Sequence, residues 1–196
     1  MARARGMFPF LLGFAVMMLA GWVLFPRLLY TSSPQPFRFS HYAHGPEGAG
    51  MSCTDCHAVG DDGRFTGIPG VARCAECHSA PMGGSPDEAI LVEEYVTPNR
   101  EIPWHAYARQ PENVFFPHAV HVTLAGLPCG RCHGNHGTDS TLQVYSENRI
   151  SGYSRNIWGS SIARVKSAEW DGMKMDDCSA CHHERQVRES CLACHK

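Results

Sequence analysis

All ten cysteines of this 196-residue chain stand in one repeated pattern. They are Cys53-Thr-Asp-Cys56-His57, Cys74-Ala-Glu-Cys77-His78, Cys129-Gly-Arg-Cys132-His133, Cys178-Ser-Ala-Cys181-His182 and Cys191-Leu-Ala-Cys194-His195. On a turn of helix, two cysteines three apart face the same way. They can take the two vinyl-derived carbons of one porphyrin while the next histidine is carried onto its iron. Cys-x-x-Cys-His is the attachment signature of c-type haem. Zinc is the competing reading, because paired Cys-x-x-Cys units also bind zinc. Zinc needs four ligands and does not demand a histidine after every second cysteine, so the repetition favours haem. The expected cofactor is therefore haem c, five groups held covalently, with His57, His78, His133, His182 and His195 as proximal iron ligands. No cysteine is left for a disulfide.

Each iron has a second face. Of the twelve histidines, seven remain: His41, His44, His105, His118, His121, His136 and His183. Phe39-Ser-His41-Tyr-Ala-His44 precedes the first motif, and Phe116-Pro-His118-Ala-Val-His121 precedes the third. The histidine pairs and the motifs after them recur at nearly the same offset, slipping by one residue, which marks an internal repeat. Phe-x-His-x-x-His puts two imidazoles on one helical face, where they can serve two different haems. His183 directly follows a proximal histidine and points the other way. Met51, Met173 and Met175 are alternative ligands that would raise a haem's potential; packing in a haem pocket is the weightier reading for them.

The elements that hold these motifs are short. Charged residues make up 18% of the chain, and Gly and Pro number 19 and 13, so the expected fold is mostly irregular with short α-helices. After the N-terminal apolar stretch, about 33 residues remain per motif, fewer than a peptide core can support alone. The porphyrins must then be the core, with chain wrapped around them. A net charge of −2 without a basic patch excludes nucleic acid as a partner. Haem attachment of this kind takes place outside the bacterial cytoplasm, which implies an exported domain.

Residues 1–6, with Arg3 and Arg5, read as a cytoplasmic N-terminus, and 7–29 as a transmembrane anchor. Met7–Phe25 is uncharged and, as a helix, spans roughly 28 Å, close to a bilayer core. A signal peptide is the alternative, but its apolar region is usually shorter and its end carries a small-x-small site. The arginines keep the N-terminus inside, so residues 30–196 form a periplasmic multihaem cytochrome c domain, single-pass in the cytoplasmic membrane. Its modules are about 37–80 and 114–196, joined by a linker at 81–113. Thr31–Pro36 reads as a polar spacer. In the linker, Ser85 as N-cap, Pro86 at the first position and Glu88 completing a capping box predict a helix that Pro98 ends, with Ile90, Leu91, Val92, Tyr95 and Val96 on its apolar side. The insertion at Gly137–Met175, with Tyr145, Tyr153, Trp158 and Trp170, is either a haem cover or a docking surface.

The histidine pairs and motifs resemble those of class III cytochromes, the c3 and c7 group. That resemblance implies His41 as distal ligand of the Cys53/Cys56 haem and His118 of the Cys129/Cys132 haem. It leaves His44, His121 and His183 for the Cys74, Cys178 and Cys191 haems in an unfixed order. A second resemblance lies in Asn99–Trp104, Gln110–His118 and Gly172–Cys178. These stretches are similar to the multihaem subunits of membrane complexes that also hold a molybdopterin-family protein, iron–sulfur subunits and an NrfD-like quinone subunit. Alternative complex III and the quinone reductase complex (Qrc) form this group. Ala108, where alternative complex III has a histidine, tilts the resemblance towards Qrc. It implies an electron carrier that is not an enzyme by itself, fed by a soluble periplasmic cytochrome c and passing electrons to quinone-reducing subunits. It also implies a sixth haem, which would lack cysteines here and could be held by His105 and His136; a propionate donor and a surface residue are the other roles open to that pair. Two further classes compete. A NapC/NrfH-type quinol dehydrogenase sets its first motif closer to the membrane helix than Cys53 stands from Phe25. A multihaem reductase of small molecules needs an open iron position, whereas here the spare histidines outnumber the irons.

Overall fold

The computed structural model describes residues 2–107, 112–150, 152 and 173–195. Helix α1, Ala2–Leu19, opens into a wider turn at Ala20–Leu24 and closes again as α2, Phe25–Leu28. Pro26, which has no amide hydrogen to donate, stands in the first turn of α2, just after the widened turn. Phe8, Phe10, Met17 and Trp22 project outward, and none of Met7–Leu24 is buried. This helix is long and apolar enough to cross a membrane. If it is kept as an anchor, N-terminal sequencing of the mature protein should find Phe8–Phe25 present; a start at or beyond Gly21 would contradict that.

The spacer expected at Thr31–Pro36 is partly a strand. Strand β1, Tyr30–Ser33, pairs antiparallel with β2, Tyr145–Asn148, in the register Tyr30↔Asn148 to Ser33↔Tyr145. The Arg149 amide continues the ladder onto the Leu29 carbonyl at 2.7 Å. The end of the apolar helix is thus tied to the insertion between the third and fourth motifs. Tyr153, Trp158 and Trp170 of that insertion lie outside the described residues, as do Ala108 and Gln110.

The first module is a set of single helical turns joined by loops. Ser40 caps α3, His41–His44, accepting the Ala43 amide at 3.1 Å. Ser52 and Asp55 form a capping box on α4, Cys53–Cys56, with the Ser52 amide 2.6 Å from the Asp55 carboxylate. A remote carboxylate starts α5, Val71–Ala75: Glu101 Oε2 accepts the Val71 amide at 3.0 Å. The linker helix begins with Pro86 as predicted; α6 is Pro86–Ile90 and continues as a wider turn over Leu91–Val96. Leu91, Val92 and Tyr95 on its apolar side are buried. The predicted capping box is absent there, because Ser85 makes no side-chain cap bond and Glu88 turns to other donors.

Phe37, Val71, Leu91, Tyr95 and Ile102 pack together, bordered by Phe39, Cys74, Ile90, Val96 and Trp104. Phe37 lies 4.9 Å from Trp104 and 5.8 Å from Tyr95 between ring centroids. Together with Val92 these are the buried apolar side chains among the described residues. All belong to the first module and its linker. The second module has a wide turn at Ala119–Leu124, then α7, Gly130–His133, a tight turn at Gly134–Thr138, α8, Met175–Glu184, and α9, Cys191–Cys194. Its two ends meet where the Phe115 amide donates to the Cys194 carbonyl at 2.7 Å. The modules meet as well: the Tyr42 amide donates to the Asp139 carbonyl at 3.1 Å.

Candidate haem-binding sites

Each Cys-x-x-Cys occupies one helical turn, as two thiols facing one porphyrin edge require. All ten cysteines are free. Among the described residues, no three or more His, Cys, Asp or Glu side chains converge on a point that could hold a metal ion.

The imidazoles are arranged in facing pairs. His41 and His57 have ring centroids 6.5 Å apart, His44 and His78 6.0 Å, and His121 and His182 6.1 Å. Two imidazoles bound to opposite faces of one iron through nitrogens roughly 2 Å from the metal have centroids roughly 6 Å apart. The gaps thus fit an iron, and each pair joins one proximal histidine to one histidine of a Phe-x-His-x-x-His stretch. His41 and His44, on the same turn, face different motifs. The resemblance left open which motif His44 and His121 serve; the proximal-type histidine near His44 is His78, and the one near His121 is His182.

Four of these rings are oriented from behind. Nδ1 of His44 donates to the Ser40 carbonyl at 2.8 Å, that of His57 to the Gly67 carbonyl at 2.8 Å, and that of His121 to the Pro117 carbonyl at 3.0 Å. Nδ1 of His78 donates to Glu88 at 2.8 Å. Holding Nδ1 protonated leaves Nε2 as the free lone pair, the usual support behind a metal-bound histidine. Gly67 can offer its carbonyl because it sits at φ 75°, a conformation that suits glycine. His41 differs: its buried Nδ1 has no hydrogen-bond partner among the described residues. Burial first, then the neighbouring His57, lower its pKa to about 4, so the ring is neutral at pH 7 and able to ligate.

The phenylalanines of the repeat do the same work twice. Phe39 stacks on His44 at 4.6 Å and meets His41 edge-on at 5.0 Å. Phe116 stacks on His121 at 4.3 Å and meets His118 edge-on at 5.0 Å. Each fixes two rings of one turn in different orientations. Phe65 stacks on His118 at 4.1 Å and lies parallel to His57 at 6.2 Å, linking the modules. Burial first, then His121, hold His118 below the ordinary imidazole range. His183 and His133 lie on α8 and α7, and His195 directly follows α9, bridging to Val114. Among the remaining histidines, His105 stacks on Tyr145 at 4.9 Å, and both its backbone amide and carbonyl bond Gln35 at 3.0 Å. His136 lies 3.4 Å from Asp139 and close enough to His41 to disfavour its protonation.

The motifs follow one another in space. Burial first, then a thiol of another motif, raises the pKa of four cysteines: Cys56 acts on Cys74, Cys53 on Cys129, Cys181 on Cys132 and Cys132 on Cys178. Cys194 acts more weakly on Cys178. These influences link thiols of the second and first motifs, the first and third, the third and fourth and, more weakly, the fourth and fifth.

No family model matches the chain. A curated relative does: the chain is 37% identical over 207 aligned residues to the menaquinone reductase multihaem cytochrome c subunit of Nitratidesulfovibrio vulgaris, covering 97% of this chain and 90% of the relative. The chain belongs to the Qrc-type multihaem cytochrome c family. Membership of a multihaem cytochrome c family implies covalently bound haem c and electron transport, and the relative is a subunit of a reductase.

Sequence reasoning missed Glu88, Gly67 and Phe65. The glycine and the phenylalanine carry no motif, and Glu88 fits a different one. The Phe39/Phe116 correspondence was visible in the repeat, though their stacking was not.

Proposed function

We propose that the chain relays electrons within a membrane quinone reductase, from a soluble periplasmic cytochrome c towards iron–sulfur and quinone-binding subunits. The observation that carries this reading is the set of three imidazole pairs, His41/His57, His44/His78 and His121/His182, with ring centroids 6.0–6.5 Å apart, a gap in which each pair would hold one haem iron. Haem c, when bound, would supply one-electron exchange at iron, and a histidine from each side would keep substrates off the metal, which favours electron transfer as the role.

In this reading five haems are covalent, on Cys53/Cys56, Cys74/Cys77, Cys129/Cys132, Cys178/Cys181 and Cys191/Cys194. His41 and His57 hold the first, His44 and His78 the second, His118 and His133 the third, His121 and His182 the fourth, His183 and His195 the fifth. The modules are of the class III kind. We take the relay to run from the second motif through the first, third and fourth to the fifth, the order in which thiols of different motifs influence one another. The histidines support the same order, because His41/His44 and His118/His121 each bridge two successive sites and Phe65 joins the first to the third. The N-terminal helix anchors the domain on the periplasmic side, beside molybdopterin-family, iron–sulfur and NrfD-like subunits of one complex.

Purification in mild detergent is the test: the chain should leave the membrane with those subunits, and the complex should reduce menaquinone with a reduced soluble cytochrome c. A chain that purifies alone and oxidises quinol by itself would overturn the reading. Denaturing mass spectrometry should find five haems attached. A sixth haem, on His105 and His136, would appear as an extra haem extractable into acidified acetone.

A further inference from the structure

Glu88 is the residue whose sequence role and structural role differ most. The spacing from Ser85 makes it a helix-capping residue, yet its carboxylate faces back across the second motif. Oε1 accepts His78 Nδ1–H at 2.8 Å and the Met82 amide at 2.9 Å, and Oε2 accepts the Gly83 amide at 3.0 Å. The side chains of Glu88 and His78 are only 12% and 18% exposed. The Met82 amide first, then the His78 ring, hold the carboxyl below the usual carboxylate range.

The neighbouring site has nothing comparable. His57 has a neutral carbonyl behind it, and among the described residues His41 has no hydrogen-bond partner on Nδ1. At the second motif, His78 has a carboxylate and His44 a carbonyl. A charged acceptor draws the Nδ1 proton further than a neutral one does, and leaves Nε2 the stronger donor. Stronger donation favours ferric over ferrous iron, and hydrogen bonding behind an axial ligand is one of the means by which a protein sets a haem potential.

We infer that Glu88 is a positioning residue for redox tuning: through His78 it holds the Cys74/Cys77 haem at a lower midpoint potential than the Cys53/Cys56 haem beside it. The inference rests on the haem assignments proposed above. It builds a step into the relay at its terminal site. Electrons fill the first site before the second, and an electron on the second has the greater driving force onward to an acceptor.

Spectroelectrochemical titration of the purified holoprotein tests this with E88Q and E88D. The glutamine variant keeps the shape and loses the charge, so one midpoint should rise while the others stay and all haems remain covalent and low-spin. E88D keeps the charge and should keep the low midpoint. A loosened loop alone would not separate these two variants. Unchanged midpoints in E88Q, with every haem attached, overturn the inference. If E88Q fails to mature, electron paramagnetic resonance of the unaltered protein decides. One low-spin signal with a narrowed g spread is expected from the carboxylate-partnered imidazole, and a neutral bis-imidazole spread at every haem overturns the inference. The underlying reading fails differently: a proteolytic peptide containing Cys74–His78 would carry no haem, and the inference would fall with it.

Discussion

Expressed without haem maturation, residues 30–196 are expected to stay unfolded and to be digested within minutes by a protease that leaves the holoprotein intact. Among the described residues, the buried apolar side chains are Phe37, Val71, Leu91, Val92, Tyr95 and Ile102, all from the first module and its linker. Fully burying such a side chain contributes about 1.5–3 kcal/mol. Ordering each residue of backbone costs about 1–2 kcal/mol. With about 33 residues per motif and roughly one such side chain for each, the peptide alone falls short. The second module is the sharper case, because none of the buried apolar side chains among the described residues belongs to it. Ligand binding that occurs only in the folded state supplies the missing stability, as metals do in other small domains. Circular dichroism and limited proteolysis of the chain made in cells lacking the haem attachment machinery would check this. A protease-resistant apoprotein would mean that the irregular chain holds itself.

How much of this was legible depends on how far apart the interacting residues stand in sequence. The Cys-x-x-Cys-His motifs and the Phe-x-His-x-x-His repeat are local, and their geometry follows from one helical turn. Pairing is not local. His44 meets His78, and His121 meets His182, across loops whose course no periodicity reveals. Ser85 and Glu88 fit a capping box, and the helix does start there. The carboxylate instead meets three donors, one of them the His78 ring, and those bonds replace the cap. The β1–β2 pair went unread for another reason. Tyr-Thr-Ser-Ser and Tyr-Ser-Glu-Asn show no alternation of apolar and polar residues, so each strand reads as loop until its partner is known. The widened turn at Ala20–Leu24 was not read from the sequence either, because it depends on how the whole helical ladder closes.

Replacing His44 by Ala is expected to open one face of the Cys74/Cys77 haem without releasing the haem. The His44 ring lies 6.0 Å from His78 and is held from behind by the Ser40 carbonyl at 2.8 Å and on its face by Phe39 at 4.6 Å. These contacts fix the ring in place, and Ala supplies no atom in its stead. About one haem in five should turn high-spin in the absorption spectrum and bind one carbon monoxide per chain when reduced. The thioether bonds from Cys74 and Cys77 and the ring of His78 remain, so the haem count should not fall. His44→Met should restore a low-spin haem with a raised potential, because a thioether ligand favours ferrous iron. Within the five covalent sites His105→Ala is the control: His105 stacks on Tyr145 and bonds Gln35 through its backbone, so these haems should stay low-spin. The ligand of the second haem would lie elsewhere if the His44→Ala spectrum matched the parent's. In that case the 6.0 Å approach to His78 would be packing, and the second site would leave the head of the proposed relay.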